Sequence, residues 1–486
     1  MSNSDQPVKV AVTFKGAKNG IGLTKYAGRL NSKMIEDFIP DPNDIALGIQ
    51  RLEEKGFVVS SQNDLLITVR GKKVDYEKSF KTELTPHSIK PYIEYEGLIP
   101  FLYPLDTTWE ADPLIDEVID SAYIQWPSIY TDRPSSENEP SKNPPNIASY
   151  HLRVPSDVAR ILNATEVHSQ GVTGKGIRVA MIDSGFYFNH PYFQESSYNT
   201  DVTLAAGATQ LQHDGDGHGT AMAANLLAVS PGVDFIGIKL TNEENDELSA
   251  TLLEGINEAL KHEPDIISIS LSSDLVRTVR GSRVGNVHRT TLPCSLKALE
   301  GTLLMAINEG ITVVCASGNG EVGFPAMMPE VIGAGGVYVD EDGRMEASNY
   351  ASAFESKIYI GRNVPDFCGL TGMAENYGKY ILLPLQVGSR LDRLIDPTSG
   401  RDGWGLLSGT SSATAQIAGV CALLLEKNGS LSPEDLKSVI KSNCKDVIHG
   451  SSNPASNQGV ALLAGLGEDV ATGSGLVDAF AAFNQV

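Results

Sequence analysis

The chain has 486 residues, of which 41% are hydrophobic and 20% are charged, and its formal net charge is −22. This is the composition of a globular protein of two or three domains with enough apolar side chains for a large core. The acidic balance argues against binding to nucleic acid or to anionic membranes, because Lys and Arg carry both kinds of recognition.

The cysteines and the N-terminus indicate the compartment. There are five cysteines without a CxxC spacing, which argues against a disulfide framework or a zinc site. Residues 1–20 lack the apolar stretch of a secretory signal, and no window is apolar enough for a transmembrane helix. We therefore expect a cytoplasmic protein.

A small α+β domain is predicted first, over residues 1–130. Residues 1–43 carry no clear pattern, but from Asp44 a helix–strand–strand–helix run follows, over residues 44–56, 57–61, 65–71 and 73–84. Such a run is typical of a small open α+β sandwich, whose core we place at about 44–125.

A linker is predicted over residues 131–149. It is rich in Pro, Ser, Asn and Glu, a composition that buries too little apolar surface to order itself. Exposed polar loops of this kind are preferred sites of proteolytic nicking.

The second domain, residues 150–486, has the pattern of a doubly wound, mostly parallel α/β sheet. Short β-branched apolar runs occur at 177–183, 235–240, 265–271 and 312–317, with helical patterns between them at 247–262 and 295–310. Ligands of such sheets bind beyond the carboxyl ends of the strands. Asp183 and Asn319 lie at or just past two of these ends.

Three blocks containing glycine carry an acid, an imidazole and a hydroxyl: MIDSG at Asp183, DGHGT at His218 and SGTSSATAQIAG at Ser411. A serine becomes a nucleophile when a neighbouring base takes its proton and an acid orients that base. The alternatives without catalysis are that Asp183 belongs to a turn and that Ser411 is a helix N-cap. A metal-dependent hydrolase is a further alternative, because HDGDGH (213–218) has two His and two Asp.

The order Asp…His…Ser and the surrounding residues resemble the subtilisin-like serine proteases, the subtilases. The similar segments are 174–186, 213–228, 407–425, CASGNG at 315–320 and the tail at 471–482. The resemblance covers roughly residues 150–486. It implies a serine endopeptidase that acts on protein or peptide substrates through an acyl-enzyme, with Asp183, His218 and Ser411 as the catalytic triad.

The resemblance also implies the groups around the triad. Asn319 and the N–H of Ser411 would form the oxyanion hole. The substrate would be bound by residues of two segments: Ser270, Leu271, Ser272, Ala316, Ser317 and Gly318. The family usually has Gly where this chain has Ser272, and a Pro where it has Ala415. A non-catalytic peptide-binding protein on the same scaffold is the alternative that these departures leave open.

The N-terminal domain resembles the prodomains of subtilases and of the related sedolisins, which block the active site. Asn319 and His218 favour the subtilase chemistry over the sedolisin one. This implies a self-inhibited proenzyme, cleaved in the linker or just before it. A generic α+β domain without a regulatory role is the alternative.

Three further expectations concern ligands and insertions. No DxDxDG loop occurs, so no metal ligand or cofactor is assigned, although subtilases often bind calcium. Residues 276–293 contain four arginines and His288, either to recruit acidic substrate residues or as a solvated loop. Residues 354–386 form a second insertion, in which only VPDFCGLTG resembles a sheet segment of the family.

Overall fold

The computed structural model describes residues 5–89, 99–104, 111–127, 139–279, 282–395 and 401–486. In the N-terminal domain the strands are β1 (Pro7–Phe14), β2 (Val58–Gln62), β3 (Leu66–Lys72), β4 (Leu84–Ile89), β5 (Ile99–Pro104) and β6 (Ile119–Ile124). The helices are a 3-10 helix (Ser32–Phe38), α1 (Pro42–Glu54), α2 (Lys73–Phe80) and α3 (Pro113–Asp116). The helix–strand–strand–helix prediction is therefore confirmed.

Strand β1 lies in the middle of the N-terminal sheet, whose order is β2-β3-β1-β6 with antiparallel pairing throughout. Val8, Val10 and Val12 alternate along it and lie in the core of this domain, as a period of two requires. The core thus begins well before residue 44, where the sequence pattern had placed its start.

The second domain alternates strands and helices along the chain. Its strands are β7 (Leu152–Arg153), β8 (Arg178–Asp183), β9 (Asn199–Leu204), β10 (Asp234–Lys239), β11 (Ile266–Ile269), β12 (Ser273–Asp274), β13 (Val276–Val279), β14 (Ser282–His288), β15 (Thr312–Ala316), β16 (Gly323–Phe324), β17 (Ile332–Val339), β18 (Met345–Ala347), β19 (Phe354–Glu355), β20 (Asn363–Val364), β21 (Phe367–Leu370), β22 (Ile381–Pro384) and β23 (Trp404–Leu407). Its helices are α4 (Ser156–Ile161), α5 (Ala164–His168), α6 (Pro191–Gln194), α7 (His218–Val229), α8 (Leu252–Leu260), α9 (Cys294–Asn308), α10 (Arg390–Ile395), α11 (Thr410–Lys427), α12 (Pro433–Ser442) and α13 (Ala479–Phe483). The described residues of this domain also form three 3-10 helices: Asp246–Leu248, Ala374–Asn376 and Pro454–Asn457.

The central sheet has the order β18-β17-β15-β11-β8-β10-β9, with β21 also paired to β17. All of its pairings are parallel except that of β17 with β18. The four predicted sheet strands are confirmed to within a few residues, and VPDFCGLTG does contribute a strand, β21. The doubly wound α/β prediction is confirmed.

The sheet separates two cores. Along β8, Val179 and Met181 face the core that contains α7 and α11, whereas Ala180 and Ile182 face the core that contains α8 and α9. Burial on both faces explains why these strands read as continuous apolar runs. The N-terminal domain contributes Ala11, Leu23, Leu30, Ile35, Phe38, Leu65 and Leu66 to the α8–α9 core.

Within the described ranges, none of the helices combines the length and apolarity needed to cross a membrane.

Candidate active site

The three predicted triad residues lie at the carboxyl end of the central sheet. Asp183 is the last residue of β8, His218 is the first residue of α7, and Ser411 lies in the first turn of α11. His218 and Ser411 line one cleft of about 520 Å³. The N-cap of α11 is Gly409, with φ 130°, so the interpretation of Ser411 as an N-cap is wrong.

Asp183 and His218 are joined by a hydrogen bond of 2.7 Å between Oδ1 and Nδ1. Asp183 is fully buried, and its Oδ1 also accepts the N–H of Ser184 at 2.7 Å. With Nδ1 donating to the carboxylate, the neutral imidazole leaves Nε2 as an acceptor. Helix α7 approaches β8 this closely because residue 219 is a glycine: a Cβ there would lie 2.2 Å from the carbonyl oxygen of Gly185.

The pKa of His218 is set by opposing effects. Burial alone would lower it, but the charge of Asp183, its hydrogen bond and the nearby Asp216 and Asp214 outweigh burial and raise the pKa above 6.5. The imidazole is therefore a stronger proton acceptor than a free histidine.

Ser411 donates its hydroxyl to the carbonyl of Ser270 at 3.2 Å, and the hydroxyl of Ser270 donates back to the carbonyl of Ser411 at 3.1 Å. In this conformation the described part of the chain has no hydrogen bond between Ser411 and His218. Rotation about χ1 is the smallest change that turns a serine hydroxyl from one acceptor to another. Hydrogen bonds between a nucleophile and its base are often long in unliganded enzymes.

Asn319 lies just beyond β15 and also lines the cleft. Its Oδ1 accepts from the N–H and the hydroxyl of Thr410, at 3.0 and 3.2 Å. These two bonds fix the amide so that Nδ2 is the group left to donate. A Cβ at Gly409 would lie 3.0 Å from Nδ2, so the glycine lets α11 begin next to this amide.

The loop that carries His218 is held by a second set of polar side chains. Asp214 is fully buried and accepts from Gly217, from both groups of Thr220 and from the hydroxyl of Ser184, at 2.6–2.9 Å. Burial is the main cause that raises the pKa of Asp214 to about 6. The Asp216 carboxylate forms a bidentate ion pair with the guanidinium of Arg390 on α10, with N···O distances of 2.7 and 3.3 Å.

The four acid and imidazole groups of residues 213–218 therefore point to different partners. His213 pairs with Glu243 at 3.1 Å, while Asp214, Asp216 and His218 contact the groups named above. In the part of the chain that the structure describes, no three His, Cys, Asp or Glu side chains are grouped so that they could hold a metal ion. This geometry does not fit the metal-dependent hydrolase, and no calcium site is assigned.

The predicted substrate residues separate into two groups. Ser270, Leu271, Ser272, Ala316 and Gly318 line the cleft. Ser317 does not: it is fully buried, and its hydroxyl donates to the carbonyl of Ser352 at 3.0 Å. Strand β11 ends at Ile269, so residues 270–272 lie in the connection to β12 rather than in the predicted strand 265–271.

The arginine-rich insertion can be described only in part. Its backbone forms the hairpin β13–β14, but the side chains of Arg277, Arg280 and Arg283 lie outside the described residues. His288 is buried against Phe354, with ring centroids 6.1 Å apart. Substrate recruitment by these arginines stays a prediction.

The cleft also contains residues that no sequence motif had indicated, among them residues from three distant segments. Gln125, Trp126 and Pro127 follow β6 of the N-terminal domain, Tyr377 and Lys379 precede β22, and Arg390, Leu391 and Leu394 belong to α10. Tyr377 and Lys379 fall in the second insertion, which the sequence left without an interpretation. Only the fold brings these segments to one cleft.

Comparisons with known proteins agree with this geometry. The family model of the subtilase family matches residues 174–467. Subtilisin NAT of Bacillus subtilis subsp. natto is 26% identical over 300 residues, which cover 57% of this chain and 63% of that protein. Alkaline elastase YaB of Bacillus sp. (strain YaB) is 27% identical over 346 residues, which cover 68% of this chain and 70% of that protein.

Among solved structures, fervidolysin from Fervidobacterium pennivorans, a keratinolytic enzyme related to subtilisin, superposes with a TM-score of 0.52 at 16% identity. The match covers 100% of this chain and 62% of that one, and it bears on the fold alone. The chain thus spans less than two thirds of the length of several relatives that it matches. Because the family model covers more than half of the chain and the fold agrees with it, the chain belongs to the subtilase family.

Proposed function

We propose that the protein is a serine endopeptidase that hydrolyses peptide bonds through an acyl-enzyme. The observation that carries the proposal is the 2.7 Å bond between Asp183 and His218 at the edge of a cleft that Ser411 and Asn319 also line. A base, a hydroxyl and an amide donor therefore line one space, and the buried acid holds the base from behind, as acyl transfer requires.

The proposed steps use these groups in turn. His218 Nε2 takes the proton of Ser411 as Oγ attacks the peptide carbonyl, and Asp183 stabilises the imidazolium that forms. Asn319 Nδ2 and the N–H of Ser411 donate to the oxyanion. His218 then protonates the leaving amine, and the C–N bond breaks. Water attacks the acyl carbon with His218 again as base. The ester bond to Ser411 then breaks, and His218 returns the proton to Oγ as the carboxylic acid product forms.

A serine-directed fluorophosphonate probe tests this proposal. The chains are first incubated until the intact mass of the wild type no longer changes, so that a cleft covered before self-cleavage is open. We then expect one adduct per chain in the wild type and in the matched control Ser412→Ala, because Ser412 is buried and lies outside the cleft lining. We expect no adduct in Ser411→Ala. Equal labelling of wild type and Ser411→Ala, or no labelling of wild type, would contradict the proposal. The second outcome, combined with peptide binding, would favour the non-catalytic scaffold.

We further propose that the N-terminal domain is a prodomain that blocks the cleft. The support is its contact with the second domain: the two share the α8–α9 core, Asn63 donates to Asn257 at 2.7 Å, and Gln125 donates to the carbonyl of Ser295 at 3.2 Å. Pro127 then lies in the cleft lining with His218 and Ser411.

The linker supports the same proposal. Its described part lies against β23, where Ser141 donates its N–H to the carbonyl of Asp402 at 2.7 Å and Trp404 Nε1 donates to the carbonyl of Ser141 at 2.9 Å. Residues 128–138 connect the cleft to this place along the chain, so we propose that self-cleavage occurs among them. Intact mass spectrometry tests this: we expect a shortened wild type and a full-length Ser411→Ala chain. Equal masses would count against self-cleavage.

The cytoplasm is the proposed compartment, and the state of the cysteines supports it. All five are free thiols, and Cys315, Cys368 and Cys421 are buried. Reduced cysteines are usual in the cytosol. Recovery of the native protein in an oxidised, secreted fraction would contradict this.

A further inference from the structure

The cleft has two walls, which pack against different cores. The α8–α9 wall consists of Trp126, Leu252, Leu253, Leu271, Leu296 and Leu299, all of which pack in the core of α8 and α9. The opposite lining residues come from the segment before β22, from β23, which pairs with β22, and from α10, which contacts β23; we call them the α10 wall: Tyr377, Lys379, Arg390, Leu391, Leu394 and Leu406. Leu391 of this wall packs against the core that contains α7 and α11. Leu406 packs in a separate small cluster at β23.

The course of the chain indicates which wall meets which end of a substrate. Residues 125–127 follow β6 and lie on the α8–α9 wall, whereas Pro140 and Ser141, further along the chain, contact residues 402–404 next to the α10 wall. A substrate bound in the same direction would place the residues before the scissile bond on the α8–α9 wall. Its leaving segment would then lie along the α10 wall.

The α10 wall is fixed to the loop that carries His218. The N–H groups of Arg390 and Leu391 donate to the carbonyls of Gly215 and Asp216, both at 2.9 Å. The Arg390 guanidinium binds the Asp216 carboxylate, with 13% and 4% of the two side chains exposed. The wall therefore has a defined position relative to the imidazole, and its charge at Arg390 is already matched.

Lys379, in contrast, forms no ion pair with the described residues. Its side chain is partly buried in the cleft lining, yet no acceptor among the described residues bonds to its ammonium. Another buried cation of this domain, Lys239, donates to Glu243 and two carbonyls at 2.5–3.0 Å. An unpaired cation that is partly withdrawn from water favours an anionic ligand.

Large apolar side chains lie on the same wall. Tyr377 is 68% exposed and Leu394 is 65% exposed, although both line the cleft. Covering them with a ligand would remove apolar surface from water. The wall thus offers one cation and an apolar surface to the same segment of a peptide.

We propose that Lys379, Tyr377 and Leu394 form a subsite for the leaving segment of the substrate, in which the ammonium of Lys379 binds a carboxylate. The carboxylate comes either from an Asp or Glu side chain shortly after the scissile bond or from the C-terminus of a short peptide. This inference rests on the proposed endopeptidase activity and adds a substrate preference to it.

The test compares kcat/KM for quenched fluorescent peptides that are identical before the scissile bond. After the bond, one series carries Glu or Gln at each of the first three positions, and a second carries a free or an amidated C-terminus. The enzyme is the full chain, incubated until its hydrolysis rate is constant. The variants are Lys379→Gln, Lys379→Arg and the control Lys357→Gln, which removes a cation that pairs with Glu355 outside the cleft lining at 2.7 Å.

We expect the wild type to favour the carboxylate-bearing peptide by about fivefold to tenfold, the range of one charged hydrogen bond at a partly exposed site. Lys379→Gln should lose this preference, and labelling of its Ser411 by the fluorophosphonate probe shows that it is folded. Lys379→Arg and Lys357→Gln should keep the preference. A preference in the first series identifies a side chain, and one in the second series alone identifies the peptide end.

Two results would overturn the inference: no preference in the wild type, or the same preference in Lys379→Gln, which would assign it to another cation. Failure of the proposed function gives a different result. In that case no peptide is cleaved, or cleavage persists in Ser411→Ala.

Discussion

Arg70 links the two domains through several hydrogen bonds. It lies on β3, and its guanidinium donates to both carboxylate oxygens of Glu254 on α8, at 3.0–3.2 Å. It also donates to the carbonyls of Ala206 and Leu248, at 2.7 and 3.0 Å. The Glu254 side chain is only 1% exposed, so Arg70→Ala leaves a buried carboxylate without its cation.

The expected loss follows from these contacts. Removing one partner of a buried ion pair costs about 3–5 kcal/mol. Glu254 keeps the hydrogen bond that it accepts from the N–H of Thr251 at 2.8 Å, and water hydrates its carboxylate when the domains separate. The expected loss therefore lies at the lower end of this range. We expect the affinity between the domains to fall by about 3 kcal/mol, or roughly 150-fold.

Lys72→Ala is the matched control on the same strand. Lys72 pairs with Asp5 at 3.2 Å, and the two side chains are 58% and 48% exposed. An exposed pair of this kind contributes at most about 1 kcal/mol. We therefore expect the control to change the affinity by less than about fivefold.

The assay uses the Ser411→Ala chain with a site for a specific protease placed in residues 143–148. After cleavage of that site, dilution and gel filtration give the dissociation constant of the two pieces. If Arg70→Ala and Lys72→Ala weaken the association equally, the ion pair does not carry the contact that we assign to it.

Two further predictions concern the active site. The acid limb of kcat/KM against pH should have its midpoint above 6.5, because His218 must be neutral to accept a proton and its pKa is raised. Asp216→Asn should move this midpoint to lower pH, since it removes a nearby negative charge and leaves Arg390 unmatched. The control Asp157→Asn should not, because Asp157 pairs with Arg160 and does not act on His218. A midpoint that stays or rises in Asp216→Asn would contradict the assigned cause. Asn319→Ala should lower kcat by about 10²–10³ with little change in KM, as the loss of one oxyanion donor does; a change confined to KM would place the amide in substrate binding instead.

The catalytic side chains were predictable because each sits in a short block whose residues also make the local structure. Gly219 admits α7 next to Asp183, and Gly409 admits α11 next to Asn319, so the glycines and the polar groups form one pattern. Strand β1 also had a readable signal, the alternation of Val8, Val10 and Val12. It was not assigned because the long connection to α1 has no periodicity.

The rest of the cleft could not be predicted from the sequence. The pair of Asp216 with Arg390 and the position of Lys379 depend on which segments the sheet brings together, and neither Arg390 nor Lys379 stands in a recognisable pattern. The bond of the Ser411 hydroxyl to the carbonyl of Ser270 is likewise a matter of rotamer, which sequence does not encode. Sequence therefore predicted the chemistry of the site better than its walls.

The proposed catalysis requires that His218 and Ser411 act as one unit. The most direct test is kcat for hydrolysis of one peptide by His218→Ala, Ser411→Ala and the double variant. Groups that act together lose their whole effect when the first is removed, so we predict that the double variant is no slower than the slower single variant. If the two losses multiply in the double variant, the imidazole and the hydroxyl work independently and the account is wrong.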